Sequence, residues 1–284
     1  MKIINQKVPD NFNLFLFGDK HEGSVASYYK GWQKMVEMVN SEYEGIQPEH
    51  NYCIDHGDQV EAIMVDDKRY DPKTCNGNVP LQQLEQTITD YQPIKSHLVV
   101  VLDGNHPWKL HRFGFVVEEI ARRLDVPYGT FTSKIIWRTD EGRIIFKSYH
   151  AHGGKSINST ADDPVRAESN MKLILKRHLK NKAGDALLMC KGHAHKLLIQ
   201  EPMKSLYMID DGKKILQRYT TSNQTGEWIH PDHKWYVCTG SFLRLYAKDA
   251  STYSEKYEYD PTELGFAIAR IRNRQIQGID KVIL

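Results

Sequence analysis

Short apolar runs, each closed by a glycine or a polar cluster, set the pattern of this chain. They lie at residues 14–17, 52–54, 98–102, 144–146 and 186–189. Continuous apolar runs of that length suit strands buried on both faces. Between several of them the apolar spacing changes to three and four. Val25, Tyr28, Trp32, Val36 and Val39 share one helical face, with Ser24 placed to cap it. Pro80 suits the first turn of a second helix carrying Leu81, Leu84, Ile88 and Tyr91. Val116, Ile120 and Leu124 mark a third. After Pro164, Met171, Ile174, Leu175, His178 and Leu179 mark a fourth.

Alternation of strand and helix predicts an α/β layered fold. The last part of the chain has another rhythm. Residues 196–200, 205–209, 235–239, 242–246 and 266–271 are strand-like, with few helical patterns between them. They predict a second sheet packed on the first. No low-complexity linker or internal repeat interrupts the chain, so one domain is expected over residues 1–284. Its core clusters fall in 14–195 and its second-sheet strands in 196–284. The polar, turn-rich stretch 66–78 predicts a surface loop near the site.

Composition narrows the classes. The chain has 284 residues, 40% apolar and 26% charged, an ordinary globular balance. Its formal net charge of +2 carries no strong nucleic-acid or membrane signal. Cys53, Cys75, Cys190 and Cys238 form no C-x-x-C pair and do not read as a zinc knuckle. Cys53 and Cys190 lie in apolar runs and read as small buried hydrophobes. The first thirteen residues are too polar for a signal peptide. No apolar run approaches the ~18 residues of a membrane span. The expectation is a cytoplasmic, reduced protein, in which the sequons at Asn158 and Asn223 are chance.

The thirteen histidines exceed what packing needs, and several fall in polar clusters directly after the apolar runs. These clusters are Gly18-Asp19-Lys20-His21, Gly57-Asp58-Gln59-Val60-Glu61, Gly104-Asn105-His106, His150-Ala151-His152-Gly153 and Gly192-His193-Ala194-His195. In open α/β sheets, ligands gather at the carboxyl ends of the strands, where these clusters sit. Carboxylate, imidazole and amide oxygen together suit Mn, Fe or Zn better than Ca or Mg. Enough ligands are present for two divalent cations.

In this order the clusters resemble the calcineurin-like metallophosphoesterase superfamily, whose pattern is D-x-H, G-D-x-x-[DE], G-N-H-[DE], a lone His, then G-H-x-H. The resemblance covers about residues 19–195. It implies a four-layer αββα sandwich of two packed mixed sheets, with the metal site at the carboxyl ends of the central strands. It implies Asp19, His21 and His195 on a first metal and Asn105, His150 and His193 on a second, with Asp58 bridging. Two divalent ions would be the cofactors, Mn first, with Fe, Zn or Ni as alternatives. His106 would act on the substrate as a catalytic acid. His150 and His152 compete for one ligand place. His150 is preferred because Gly153-Gly154 follows it, and His152 is left as a supporting or substrate-contacting residue. Glu61 is expected behind the ligands, Lys20 is a candidate for reaching a phosphate, and His56 packs at a strand end. Pro107 replaces the acidic residue that usually follows the third cluster, which leaves the orientation of His106 without its usual partner. Asp103 is a candidate substitute.

The implied activity is hydrolysis of a phosphoester by a bridging hydroxide on a dinuclear centre. A phosphodiester is the first expectation, with nucleic acid as one source of it. The segment from Val237 to Phe242 resembles phage- and prophage-type members, and the core resembles the DNA-repair nucleases without their capping domain. A phosphomonoesterase acting on nucleotides or phosphoproteins is the alternative enzyme. A non-catalytic scaffold of the same fold is the alternative class. The expected partner is therefore a phosphoester substrate, with no membrane. Two decoys fail: Gly153-Gly154-Lys155-Ser156 lacks the first glycine of a phosphate loop, where Tyr149 stands, and the basic stretch 172–182 reads as a solvated helix face.

Overall fold

The computed structural model describes residues 1–75, 80–224 and 226–284. Asn76–Asn78, the end of the expected surface loop, and Thr225 of the second sequon lie outside the described residues.

The fold is mixed α/β, with more than one mixed sheet. The chain opens with β1 (Lys2–Lys7), β2 (Phe12–Phe17), α1 (Tyr29–Val39), β3 (Asn51–Asp55), α2 (Pro80–Tyr91) and β4 (Leu98–Val101). Then follow α3 (Val116–Leu124), β5 (Thr132–Arg138), β6 (Ile144–Ala151), α4 (Pro164–Leu179), β7 (Leu188–Lys191) and β8 (Leu197–Gln200). The last elements are β9 (Leu206–Asp210), β10 (Ile215–Tyr219), β11 (Trp235–Thr239), α5 (Tyr253–Lys256), β12 (Gly265–Arg272) and β13 (Gln275–Ile283). One sheet has the order β13-β12-β2-β3-β4 and another β1-β5-β6-β7-β11-β8. Among the described residues β9 and β10 pair only with each other, and their large apolar side chains Leu206, Met208, Ile215 and Tyr219 are exposed.

The period-two geometry of a strand sorts side chains between two cores. All six residues of β2 are buried. Phe12, Leu14 and Leu16 enter a core shared by both large sheets, together with Ile135, Trp137, Leu188 and Val237. Phe15 and Phe17 face the other way, onto Trp32 and Met35 of α1, Ile88 of α2 and Ile120 of α3. Burying one such phenylalanine contributes roughly 1.5–3 kcal/mol. On the second sheet, Met189, Tyr236 and Cys238 pack against Leu175 and Leu179 of α4. α4 is capped by Asp163, whose side chain accepts from the Arg166 N–H at 2.7 Å, with Pro164 in the first turn.

The helices begin close to where the periodicity predicts, with one difference. Ser24 does not cap α1, which starts at Tyr29. The preceding residues are tied into backbone bonds, Val25 N–H to Thr74 O and Tyr28 N–H to Phe242 O. The expected second sheet of C-terminal strands is also corrected. Residues 266–271 fall in β12, which pairs with β2 in the first sheet. Its alternation serves both cores: Ala267 and Ala269 enter the shared one, Phe266 and Ile268 the helical one. Residues 205–209 go to the separate β9–β10 pair, and 242–246 form no strand. The second sheet instead takes β1, β5, β6 and β7 from the earlier chain. No described helix is long and apolar enough to cross a membrane.

Candidate metal centre

Each candidate follows the carboxyl end of a strand that runs parallel to its neighbour. Asp19 and His21 follow β2, Asp58 follows β3, and Asn105 and His106 follow β4. His152 follows β6, and His193 and His195 follow β7. The chain must turn sharply there to bring polar side chains back over the strand ends. Asp19, His21, Asp58, His193 and His195 all have positive φ, between 49° and 68°. Non-glycine residues held in that region cost of order 1–3 kcal/mol each, and they concentrate at working sites. Two glycines are demanded by close approach. A Cβ on Gly104 would lie 2.1 Å from Asp58 Oδ1, and one on Gly57, with φ of 101°, would lie 2.6 Å from His152 Nδ1.

Two ligand sets result. In the first, His195 Nε2 lies 3.2 Å from Asp19 Oδ1 and 3.3 Å from His21 Nε2. In the second, Asn105 Oδ1 lies 2.6 Å from His193 Nδ1 and 2.9 Å from His152 Nε2, which is 3.3 Å from Asp58 Oδ2. The same Asp58 oxygen is 3.9 Å from His21 Nε2, so it faces both sets. Ligands about 2.0–2.2 Å from one cation stand roughly 3–3.5 Å apart, and these separations bracket that value. Asp19 Oδ1 is fully buried yet makes no hydrogen bond among the described residues. An orphaned carboxylate oxygen facing two imidazole nitrogens fits a cation.

Supporting contacts hold the ligands. His21 Nδ1 meets Glu61 Oε2 at 2.7 Å, a carboxylate–histidine pair of the kind that orients metal-binding imidazoles. Asp58 Oδ1 accepts the His106 N–H at 2.8 Å, and Asp19 Oδ2 accepts the His193 N–H at 2.9 Å. His152 Nδ1 donates to His56 O at 2.7 Å, which turns Nε2 toward Asp58. The Ser241 hydroxyl and the Phe242 N–H both donate to Asp19 O at 3.1 Å, so the start of the segment 242–246, expected as a strand, props the first cluster instead. Burial opposes the charge on Asp58, but His152 and His106 outweigh it and hold the carboxyl well below its usual range. Burial lowers the His152 imidazole, while Asp58 more than reverses this and raises it to about 9. Burial and neighbouring His152 lower His193 to about 4. A proton and a cation therefore compete for the space between Asp58 and His152.

Three expectations change. His150 does not join Asp58, Asn105 and His193; His152 stands in that place. His150 lies inside β6 and points into the inter-sheet interior, with Nε2 2.7 Å from Ser148 Oγ and Nδ1 3.0 Å from His56 Nε2, whereas His152 lies just past the end of that strand. Lys20 does not reach the site. It is buried in an ion pair 2.7 Å from Asp90 Oδ2 and bonded to Glu22, because residue 20 faces away from its neighbours 19 and 21. Asp103 does not touch His106; it accepts from Tyr128 Oη at 2.7 Å. The Glu61 carbonyl, 2.6 Å from His106 Nδ1, supplies the orienting contact instead.

A cavity of about 550 Å³ opens onto Asp58, Asn105, His106, His193 and His195. Arg69, Lys196, Tyr253 and Tyr259 also line it, and the motif reading did not find them. Arg69 lies in the polar loop expected near the site. The tyrosine-rich stretch 246–259 was the available signal for the rest.

No family profile matches this chain, and no curated protein matches it. Among solved structures it is similar to a crystal structure described as a "putative diadenosine tetraphosphatase". That match has 12% identity, covers 77% of this chain and 97% of that one, and has a TM-score of 0.32. A likeness at that level decides neither fold nor activity.

Proposed function

We propose that this chain is a metal-dependent phosphoester hydrolase of the calcineurin-like metallophosphoesterase type, acting on phosphodiesters. One observation carries the reading: two ligand sets share the Asp58 carboxylate at the edge of a cavity that also receives His106. In this reading Asp19, His21 and His195 hold a first divalent ion, and Asn105, His152 and His193 a second, with Asp58 between them. Mn is the first candidate for both. Such a pair of cations supplies Lewis-acid charge and a lowered water pKa when bound. The fold would be a single domain of four layers, supported by one core between the sheets and a helix-covered core on each outer side.

The chain's own residues do the rest. His106 Nδ1 donates to the Glu61 carbonyl, which leaves Nε2 for the substrate. Protonated, it delivers the Nε2 proton to the leaving oxygen. Glu61 keeps the His21 ring from turning. Buried Asp55 and Tyr91 support the turn behind Asp58, with Tyr91 Oη 2.9 Å from Asp55 Oδ2 and the Gly57 N–H donating to Asp55 Oδ1 at 2.9 Å. The test is hydrolysis of bis-p-nitrophenyl phosphate with added Mn²⁺ by the parent, Asp58→Ala and His106→Ala. Loss of turnover in both variants is expected. Parental rates in both would end this reading, as would a parent that takes up no Mn²⁺ or Zn²⁺.

A further inference from the structure

Part of the cavity wall comes from segments outside all five clusters, Arg69 and the stretch 253–260. Tyr259 is half exposed there. Its ring stacks on Tyr257 at 6.1 Å and meets Tyr253 edge-on at 6.4 Å. Tyr246 Oη donates to the Tyr259 carbonyl at 2.7 Å, which fixes the backbone beneath the ring. The Arg69 guanidinium lies 5.6 Å over the Tyr253 ring. Asp67 holds its Nε and one terminal nitrogen, at 3.1 and 2.8 Å. Nη1 makes no hydrogen bond among the described residues. Lys196 has no ion-pair partner among them either.

We propose that Arg69, Tyr253 and Tyr259 select a phosphoester that carries a single nucleoside. The base lies against Tyr259 and Arg69 Nη1 reaches a phosphate oxygen. The proposal rests on the hydrolase reading and names the substrate class of that site. Three observations meet here. An aromatic face on a cavity wall takes a base of any sequence by stacking. A guanidinium positioned by a carboxylate keeps a donor for phosphate. The cavity volume is in the range of small-ligand sites, which take one nucleotide rather than a duplex. Charge agrees with a small ligand. Glu258 and Asp260 line the same wall and offset Arg69 and Lys196. A track for a polyanion needs an excess of positive charge, and this wall has none.

The test uses the Mn²⁺-loaded protein. Calorimetry compares thymidine 5′-monophosphate with methyl phosphate. Kinetics compare the p-nitrophenyl ester of thymidine 5′-phosphate with methyl p-nitrophenyl phosphate. The parent is expected to bind the nucleotide at least about tenfold more tightly and to show the same preference in KM. Tyr259→Ala removes about tenfold of that preference, and Tyr259→Phe keeps it. Equal binding of the two phosphates by the parent overturns the proposal without any variant. A short DNA duplex that displaces the nucleotide at lower concentration and physiological salt also overturns it. Preferential nucleotide binding without hydrolysis of either ester keeps the wall and ends the hydrolase reading. Hydrolysis of both esters with equal binding does the reverse.

Discussion

Two histidine-rich clusters lie close together, linked by His152 Nδ1 donating to His56 O, and they differ in what their lone pairs do. One holds Asp19, His21, Asp58, His152, His193 and His195 at the cavity edge. The other holds His56, His150 and Cys190, fully buried between the sheets. In the buried cluster one proton arrangement satisfies every imidazole nitrogen. Trp137 Nε1 donates to Ser148 Oγ at 2.8 Å, and the hydroxyl donates to His150 Nε2 at 2.7 Å. His150 Nδ1 donates to His56 Nε2 at 3.0 Å, and His56 Nδ1 donates to Phe17 O at 3.0 Å. Burial keeps both rings neutral, His56 at about 4 and His150 well below its usual range. At the cavity edge Asp19 Oδ1 makes no hydrogen bond among the described residues, and His21 Nε2 and His195 Nε2 face each other. Ligand-type residues within reach of one another do not make a metal site. What sets the cavity cluster apart is a carboxylate facing both sets, where a cation would have to displace the proton that Asp58 draws onto His152.

Asp58→Ala should break the cavity cluster most severely, since it removes the group both sets face. Turnover of a phosphodiester is expected to fall by about 10³-fold, the scale of losing a central electrostatic group. Elemental analysis should find less than one cation per chain; two cations at parental occupancy would contradict the shared carboxylate.

The sharpest comparison is His152→Ala against His150→Ala. The first should weaken Mn²⁺ binding by about 10–100-fold or more. The second should leave Mn²⁺ affinity close to parental and cost about 1–3 kcal/mol of stability, because it strands Ser148 and His56. Reversed outcomes in a Mn²⁺ titration and a urea melt would restore His150 as the ligand.

Removing the cations should act on one cluster alone. With free metal near 100 times Kd, chelation is expected to cost about 2.7 kcal/mol. The melting temperature should drop by several degrees in the parent and hardly at all in Asp58→Ala. An equal drop in both would mean the stabilising ions bind elsewhere.

The smallest effect is a pH slope. His56 and His150 have folded pKa values below the unfolded value of about 6.5. Between the two values the unfolded chain takes up the proton and the folded chain does not. The stability from each neutral ring is full above about pH 6.5 and is lost as pH falls, by about 1.4 kcal/mol per pH unit. Burial raises Asp55 to about 7, which opposes that loss across the same window. Asp55 is common to the parent and His150→Asn, so it cancels in their difference. Urea melts between about pH 6.5 and 5 should show the parent losing stability faster by about 1.4 kcal/mol per unit. Parallel slopes would mean that His150 is protonated in the fold.

Much of this was legible in the chain itself. The spacing of Leu81, Leu84, Ile88 and Tyr91 predicts α2, and the apolar runs predict β2, β3, β4 and β7, because periodicity is a local property of the backbone. The clusters named Asp19, His21, Asp58, Asn105, His193 and His195, which the fold brings close together, since glycine beside a candidate ligand is needed wherever two turns approach within van der Waals distance. Other features required the fold. Which sheet receives residues 266–271 depends on pairing with β2, more than 250 positions away in sequence, and alternation reads the same in either sheet. Lys20 looked available for phosphate because its neighbours are candidate ligands, yet one step along the chain turns it to buried Asp90. The contest between His150 and His152 turned on where β6 ends. Residues two apart share a strand face, so alternation cannot separate them; His150 is held inside β6 by pairing with Ser133 of β5 and Cys190 of β7, while His152 lies past the strand end, where the chain turns it toward Asp58.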